Sequence, residues 1–393
     1  MKAISIFLTA AILLLFISSC ADNIGEENGQ TGALPLTPQN TYQGDLPESP
    51  QNTSQEGLQD TPQDTPLDMS GFAPPSSSNA SASSGRAEYE YEEYLDGIVI
   101  TQYNGRPLIV RVPAEIDGMP VRKIGDEAFA TGYFKKFYDV YHRASDAALF
   151  NRSTSVEEVY LPDTVIEIGR HAFARCDDLV YIELPDSITT IGESAFGWCN
   201  NLEEIKLPAN LTSLGTAVFI DCFNLKSIEI PNGVTEISNS MFSGCRNLSS
   251  ITLPDSITSV GIRSFYECEK LESISFPDGL TSIGEYAFYG CTGLSAVNLG
   301  NNLTSIQSST FHHSNIERIV IPATVESIGF DAFARNSRLR YIEFVSETPP
   351  AARDLSFAGI HRFAEAIVPH GSTEYGEPGS RWNGLTVTIK DAD

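Results

Sequence analysis

Basic residues are scarce in this sequence. Its 393 residues include 25 Lys and Arg against 51 Asp and Glu, which gives a formal net charge of −26. A chain this acidic repels the phosphate backbone of DNA and RNA, so we predict that it has no nucleic-acid partner. The same charge repels an anionic membrane surface. We therefore expect any attachment to a membrane to be covalent.

The sequence also lacks the local signatures of common enzymes and metal sites. Its six histidines form no HExxH motif, and neither a GxSxG elbow nor a P-loop is present. The adjacent pair His312 and His313 is interpreted as an irregularity of an exposed repeat. The Gly-rich nonapeptide of calcium-binding β-rolls is missing as well. The sequence therefore predicts no enzymatic activity, no cofactor and no metal site.

Long apolar runs are rare, with one exception at the N-terminus. Lys2 precedes an apolar stretch over residues 3–17, and "ISSC" follows it, ending at Cys20. The stretch is too short to span a membrane well. Small residues before a cysteine resemble the cleavage site of a bacterial lipoprotein signal. We predict that residues 1–19 are a signal peptide and that Cys20 carries lipid. An ordinary signal peptide with a chance cysteine and a retained transmembrane anchor are the alternatives.

Residues 20–87 differ from the rest of the chain in composition. Pro, Gln, Ser and Thr dominate, and a 12-residue unit occurs three times, first as "TPQNTYQGDLPE" (37–48). Such a segment cannot bury enough apolar surface to offset its conformational entropy. We predict a disordered tether with a root-mean-square reach of roughly 45 Å.

From residue 88 onward the sequence is periodic. Phenylalanines recur every 23 residues from Phe173 to Phe311, and "LVYIELPDSITTIGESAFGWCNN" (179–201) is a complete copy of the unit. The alternation in "LxxIxL" predicts a short strand with one buried face, which Pro185 ends. "ESAF" predicts one helical turn that inserts Phe196. A single unit cannot cover its own apolar side, so we predict that the units stack into a solenoid.

Six of the seven cysteines occupy one position of this unit, three residues after the Phe: Cys176, Cys199, Cys222, Cys245, Cys268 and Cys291. Neighbouring strands lie about 4.8 Å apart, which exceeds the Cβ separation of about 3.8 Å in disulfides. Later units carry Ser314 and Asn336 at this position. We predict that the cysteines are small buried residues that fill space. A disulfide pair and a metal site are the alternatives.

The unit resembles the BspA-like (Treponema-type) leucine-rich repeat of bacterial surface proteins. The string "LPDSIT-x-IG-x-x-AF-x-x-C" carries the resemblance, which covers residues 88–393. It implies a leucine-rich-repeat solenoid with 23-residue repeats, a parallel β-sheet of short strands and helical turns on the other side. Residues 88–129 are similar to the family's N-terminal cap, and residues 345–393 are similar to its C-terminal cap.

One stretch departs from the period, because 44 residues separate Phe129 from Phe173. We interpret residues 130–150 as a degenerate rung that ends at Phe150, and an insertion is the alternative. With this rung and a last strand near Val368, the sequence predicts about twelve rungs.

The strands also predict a binding surface. Residues on either side of each central apolar residue should point outward, onto what the family would make the concave face. Exposed tyrosines beside charged residues are typical of interfaces. We therefore select these partner-binding candidates: Tyr160, Tyr181, Glu183, Glu204, Lys206, Glu229, Arg318 and Tyr341. A sheet that is merely solvated is the alternative.

The resemblance implies adhesion to host matrix, host cells or other bacteria. The expected partner is a protein or a glycan on a host or bacterial surface, and the expected membrane contact is the lipid on Cys20 alone. A structural or scaffold lipoprotein facing the periplasm is the second hypothesis. A glycan-active enzyme is a more distant third.

Overall fold

The computed structural model describes residues 88–130 and 155–390. They form a parallel β-solenoid of about 12 turns with a spacing of about 23 residues, so the predicted fold class and number of rungs are confirmed. The signal peptide, Cys20 and the tether lie outside the described residues. No helix among the described residues is long and apolar enough to cross a membrane.

The solenoid begins with an antiparallel hairpin. β1 (Tyr89–Tyr94) pairs antiparallel with β2 (Gly97–Tyr103), and β2 pairs in parallel with β5 (Met119–Ile124). The short β4 (Glu115–Ile116) folds back antiparallel on β5. Because β1 covers β2, the first parallel strand is not left as an unpaired edge.

Two sheets run along the stack. We call the first the front sheet; each of its strands precedes the repeated proline position or its equivalent: β3 (Ile109–Arg111), β6 (Glu158–Tyr160), β8 (Tyr181–Glu183), β11 (Ser227–Glu229), β13 (Ser250–Thr252), β15 (Ser273–Ser275), β17 (Ala296–Asn298), β19 (Arg318–Ile321), β21 (Tyr341–Phe344), β23 (Glu365–Val368) and β25 (Leu385–Ile389). Its hydrogen bonds join β3–β6–β8, β11–β13, β15–β17 and β19–β21–β23–β25. Glu204 forms an isolated bridge to Ser227.

The second sheet, called the side sheet, consists of shorter strands that follow each proline: β7 (Glu167–Ile168), β9 (Thr190–Ile191), β10 (Ser213–Leu214), β12 (Glu236–Ile237), β14 (Ser259–Val260), β16 (Ser282–Ile283), β18 (Ser305–Ile306), β20 (Ser327–Ile328) and β22 (Ala351–Ala352). β5 leads into the β7–β9–β10 group, and β12 through β22 form a second group. In each of the strands from β7 to β20 the second residue is buried. The side sheet therefore closes the same core as the front sheet.

The rungs on either side of residues 131–154 pair directly with each other. Lys123 and Ile124 of β5 are in register with Glu167 and Ile168 of β7. β3 likewise pairs with β6. The stack therefore holds no rung between them, and the interpretation of residues 130–150 as a degenerate rung is wrong. Phe150 itself lies outside the described residues.

The turns opposite the front sheet are not helical, which corrects the expectation of helical turns. Each core Phe is flanked by residues with positive φ, as Phe196 is by Ser194 (49°) and Trp198 (61°). A left-handed residue cannot continue a right-handed helix. The amides of Ser194, Phe196 and Trp198 donate instead to carbonyls of the next rung, at 2.7–3.0 Å. Hydrogen bonds between rungs thus replace those within a helix.

The core is a continuous stack of aromatic rings. From Tyr103 through the repeated phenylalanines to Phe357, adjacent ring centroids lie 4.9–5.7 Å apart. Phe129 contacts Phe173 directly, at 4.9 Å. Trp382, in the strand β24 (Arg381–Trp382) that pairs antiparallel with β25, packs 6.1 Å from Phe357. The C-terminal hairpin thereby covers the end of the stack.

The six repeated cysteines are buried thiols beside this stack, as predicted. Burial raises the pKa of Cys199 and Cys245 well above the ordinary range. These groups therefore stay protonated at neutral pH and are poor nucleophiles.

Each thiol also donates a hydrogen bond that the sequence analysis missed. The Sγ of Cys245 lies 3.0 Å from the carbonyl oxygen of Phe219. The other five contact the Phe of the preceding rung at 3.0–3.4 Å. Ser314 and Asn336 donate to the equivalent carbonyls at 3.0 and 2.6 Å. The position therefore holds a hydrogen-bond donor, which explains why serine and asparagine occur there.

Candidate functional site

The outward positions of the front sheet form the candidate site. In β8 the central Ile182 is buried, whereas Tyr181 and Glu183 on either side of it are exposed. The same alternation holds in β15 and β19. These side chains can change without disturbing the core, because strand residues alternate between the two faces of a sheet.

Three side chains at the N-terminal end of the front sheet contact one another. The guanidinium carbon of Arg111 lies 4.0 Å from the ring centroid of Tyr160. The rings of Tyr160 and Tyr181 are 5.7 Å apart and tilted by 52°. The three residues come from the neighbouring strands β3, β6 and β8, so parallel pairing positions them. We call them the Arg-Tyr cluster.

Both hydroxyl groups of this cluster stay protonated at neutral pH, because the pKa of each is raised. Tyr160 donates to a carboxylate oxygen of Glu158 at 2.7 Å, and this hydrogen bond raises the pKa of Tyr160. Burial, followed by the charges of Glu183 and Glu158, raises the pKa of Tyr181. The cluster thus combines one cation, two neutral aromatic rings and flanking carboxylates.

The other candidates of this end lie beside the cluster. Glu183 is in register with Tyr160. Glu204 and Lys206 are exposed in the next rung, and Glu229 is exposed in β11. From β6 to Glu229 the surface thus carries charges of both signs around the two tyrosines.

Arg318 and Tyr341 form a separate group at the other end of the front sheet. The Arg318 guanidinium lies 5.0 Å from the Tyr341 ring centroid and 3.8 Å from Glu343. Lys390 pairs with the same carboxylate at 3.0 Å. At about 4.8 Å per rung, the six rungs from Tyr181 to Arg318 separate this group from the Arg-Tyr cluster by about 29 Å. The structure therefore does not bring the predicted site residues together into one patch.

Small polar side chains occupy the sheet between the two groups. Ser250, Thr252, Ser273 and Ser275 are exposed. Their short side chains leave the sheet surface open to a partner that protrudes toward it. This middle part has no aromatic anchor, so it is less suited than the two ends to supply binding energy.

Arg111 is the residue that the sequence analysis missed. A signal for it was present, because "LIVRVP" (108–113) places Arg111 two residues before Pro113, just as Tyr160 precedes Pro162. The strand went unrecognised because 44 residues separate Phe129 from Phe173 and hide the period. Within residues 88–130 and 155–390, no three His, Cys, Asp or Glu side chains are grouped so as to hold a metal ion.

Comparison with known proteins identifies the repeat. The family described as "BspA type Leucine rich repeat region (6 copies)" matches residues 145–272 and 259–376, together more than half of the chain. A leucine-rich repeat protein from Bacteroides ovatus ATCC 8483 is 27% identical, with a TM-score of 0.60, over 77% of this chain and 75% of that chain. A search of the curated proteins finds no match.

A leucine-rich cell surface protein from Faecalibacterium prausnitzii A2-165 is 23% identical, with a TM-score of 0.50. The likeness covers 78% of this chain and 94% of that chain. At this identity the likeness shows the fold alone.

Proposed function

Because the chain belongs to the BspA-type leucine-rich repeat family, we propose that it is a lipid-anchored surface protein whose front sheet binds a macromolecular partner. In this proposal it acts as an adhesin, and its partner is a protein or a glycan on host matrix, host cells or other bacteria. The anchor is lipid on Cys20.

The Arg-Tyr cluster is the observation that carries the proposal. Folding does not require tyrosine at these positions, since serine and alanine occupy equivalent ones in β13 and β17. Tyr and Arg are also the residue types that dominate binding energy at protein interfaces. Tyr181 is 42% exposed, so a partner has apolar area to cover.

The net charge of the chain indicates which charge a partner of this site should carry on its surface. With a net charge of −26, the protein attracts a partner that presents basic groups. Complementary charges mainly speed association and select the partner. Affinity should therefore fall as salt screens these charges.

A double substitution tests the binding site. Tyr181→Ser with Lys206→Ser should abolish most of the affinity for the protein or glycan captured from host matrix by the full chain, with the melting temperature nearly unchanged. The matched control is Tyr94→Ser with Lys270→Ser, which removes the same residue types at exposed positions away from the front sheet. An equal loss of affinity in both variants, or no loss of affinity in the first variant, would show that the partner binds elsewhere.

The anchor and the location need their own experiments. Cys20→Ala should abolish metabolic lipid labelling, and a labelled variant would contradict the assignment. Protease added to intact cells should cleave the protein. Cleavage that requires permeabilised cells would instead favour the periplasmic scaffold.

A further inference from the structure

A second surface, at the C-terminal end of the solenoid, carries cations without carboxylate partners. Arg335, Arg338 and Arg362 are exposed. Phe363, beside them, is 61% exposed and lies 4.2 Å beneath the Arg362 guanidinium. We call these four residues the arginine patch. It lies in the turn segments that lead into β21 and β23, outside the outward face of the front sheet.

The register places the patch on two neighbouring rungs. Tyr341 pairs with Glu365, and Arg338 and Arg362 each lie three residues before one of them. Equivalent residues of adjacent rungs are about 4.8 Å apart. A side chain at Gly359 would lie over Arg335, at 3.6 Å from its Cα. Because that position is glycine, Arg335 stays uncovered.

Three exposed cations elsewhere in the solenoid pair with carboxylates of a neighbouring rung. Arg170 pairs with Glu193 at 3.1 Å, and Lys226 pairs with Glu203 at 2.6 Å. Arg246 has two carboxylate partners. Among the described residues, none of the three patch arginines has an ion-pair partner.

Like charges on adjacent rungs destabilise a stack. The rungs at Arg338 and Arg362 therefore carry a repulsion between two cations, in a chain that has twice as many acids as bases. Glu317 lies one rung before Arg340, whose amide donates to the Glu317 carbonyl. Arg340 is not counted in the patch, because the residue at the equivalent position of the preceding rung is this glutamate. An anion bound across the two rungs would relieve the repulsion between Arg338 and Arg362.

From this geometry we propose that the arginine patch binds an anionic polysaccharide. The planar guanidinium group matches sulfate and carboxylate oxygens through two parallel hydrogen bonds. The exposed ring of Phe363 offers an apolar edge to the C–H groups of a sugar. A polysaccharide that repeats its anions along a chain can engage several cations at once, so individually weak contacts add up.

The surroundings of the patch favour a glycan over an acidic peptide. An extended peptide gains much of its affinity by pairing with a free strand edge. Here β21 is paired on both sides, with β19 and with β23. The patch therefore offers side chains but no backbone edge to a peptide.

The test uses the full chain and three polyanions: heparin as the sulfated glycan, polygalacturonate as the carboxylated glycan and polyglutamate as the acidic peptide. We expect at least one of the two glycans to bind, more weakly at high salt. Whichever binds identifies the anionic group. Arg338→Ser with Arg362→Ser should lower the affinity about tenfold. Arg338→Lys with Arg362→Lys should give a smaller loss, since it keeps the charge and loses the planar geometry.

The matched control is Arg170→Ser with Arg246→Ser, which changes the net charge equally and removes arginines that are already paired. Its affinity should stay within about twofold of the native chain. Three results would overturn the proposal. These are no glycan binding by the native chain, equal losses in the patch and control variants, and polyglutamate binding as tight as that of the glycans. The front-sheet substitutions should leave glycan binding unchanged, so this proposal and the proposed function can fail separately.

Discussion

The interior of the solenoid and the outward face of its front sheet are built from the same repeat but vary differently along the stack. A Phe occupies the core position in each rung from Phe129 to Phe357. The outward positions change from Tyr181 in β8 to Ser250 in β13 and Arg318 in β19. A core ring must fit the rings above and below it, whereas an outward side chain has no such requirement. The composition of the outward face is therefore free to serve binding.

The largest expected effect comes from removing one ring of the core. Phe219 is fully buried and stacks on Phe196 and Phe242 at 5.7 and 5.6 Å. Phe219→Ala should lower the free energy of unfolding by about 3–5 kcal/mol. Tyr181→Ala, on the outward face, should change it by less than about 0.5 kcal/mol. Urea denaturation measures both. Similar losses would mean that the two regions do not differ as described.

The second effect concerns the left-handed residues that flank the core ring. Ser240 has a φ of 54°, a conformation in which the Cβ of an L-residue crowds the backbone and a β-branched side chain is worse still. Ser240→Val should therefore cost about 1–2 kcal/mol, whereas Ser240→Gly should cost nothing. The control is Ser250→Val, the same exchange at an exposed strand position. There it should be neutral or slightly stabilising. A cost at Ser250 as large as that at Ser240 would contradict the argument.

The third effect separates the hydrogen bond of the thiol from its apolar character in the cysteine column. Cys245→Ala removes the donor to the Phe219 carbonyl and should cost about 1 kcal/mol. Cys245→Ser keeps a donor, as Ser314 does at this position, and should cost less than the alanine variant. If serine is the more costly of the two, the apolar character of the thiol rather than its hydrogen bond determines the position.

The repeat period made the fold predictable, and its limits explain what was missed. Buried strands, the proline stops and the cysteine column follow from a 23-residue spacing that recurs many times. The turns were mispredicted because "ESAF" has ordinary helix-forming residues. In the structure its backbone amides instead donate hydrogen bonds to carbonyls of the next rung. Those carbonyls belong to a different repeat, so the local sequence does not reveal them. Arg111 and the direct contact of Phe129 with Phe173 were missed for the same reason.

The candidate site was less predictable than the fold. Alternation along each strand identified the outward residues correctly as a set. It could not show that Tyr160 contacts Tyr181 and Arg111 while Arg318 and Tyr341 lie at the other end. The arginine patch was also hidden, because a cation without a partner is recognised only when the carboxylates around it are placed.

The smallest expected effect concerns the residue that directly follows the core Phe. We call this position of the repeat the column after the Phe. There His312 stacks on Tyr289 with ring centroids 4.7 Å apart, and it is mostly buried. Burial, followed by the charge of Arg335, lowers the pKa of His312. The unfolded chain therefore binds this proton more tightly than the folded chain does. Protonation favours unfolding, so the contribution of His312 to stability is present at neutral pH and is lost as the pH falls below about 6.5. His171, whose pKa burial also lowers, acts in the same direction.

His312→Phe keeps a flat ring on Tyr289 and removes the titrating group. We expect the melting temperature of this variant to fall less than that of the native chain between neutral and mildly acidic pH, with the remaining slope due in part to His171. The effect should be smaller than that of Cys245→Ala. If the melting temperature of the variant changes with pH as much as that of the native chain, His312 is hydrated in both the folded and the unfolded state. Its position would then resemble the outward face rather than the core.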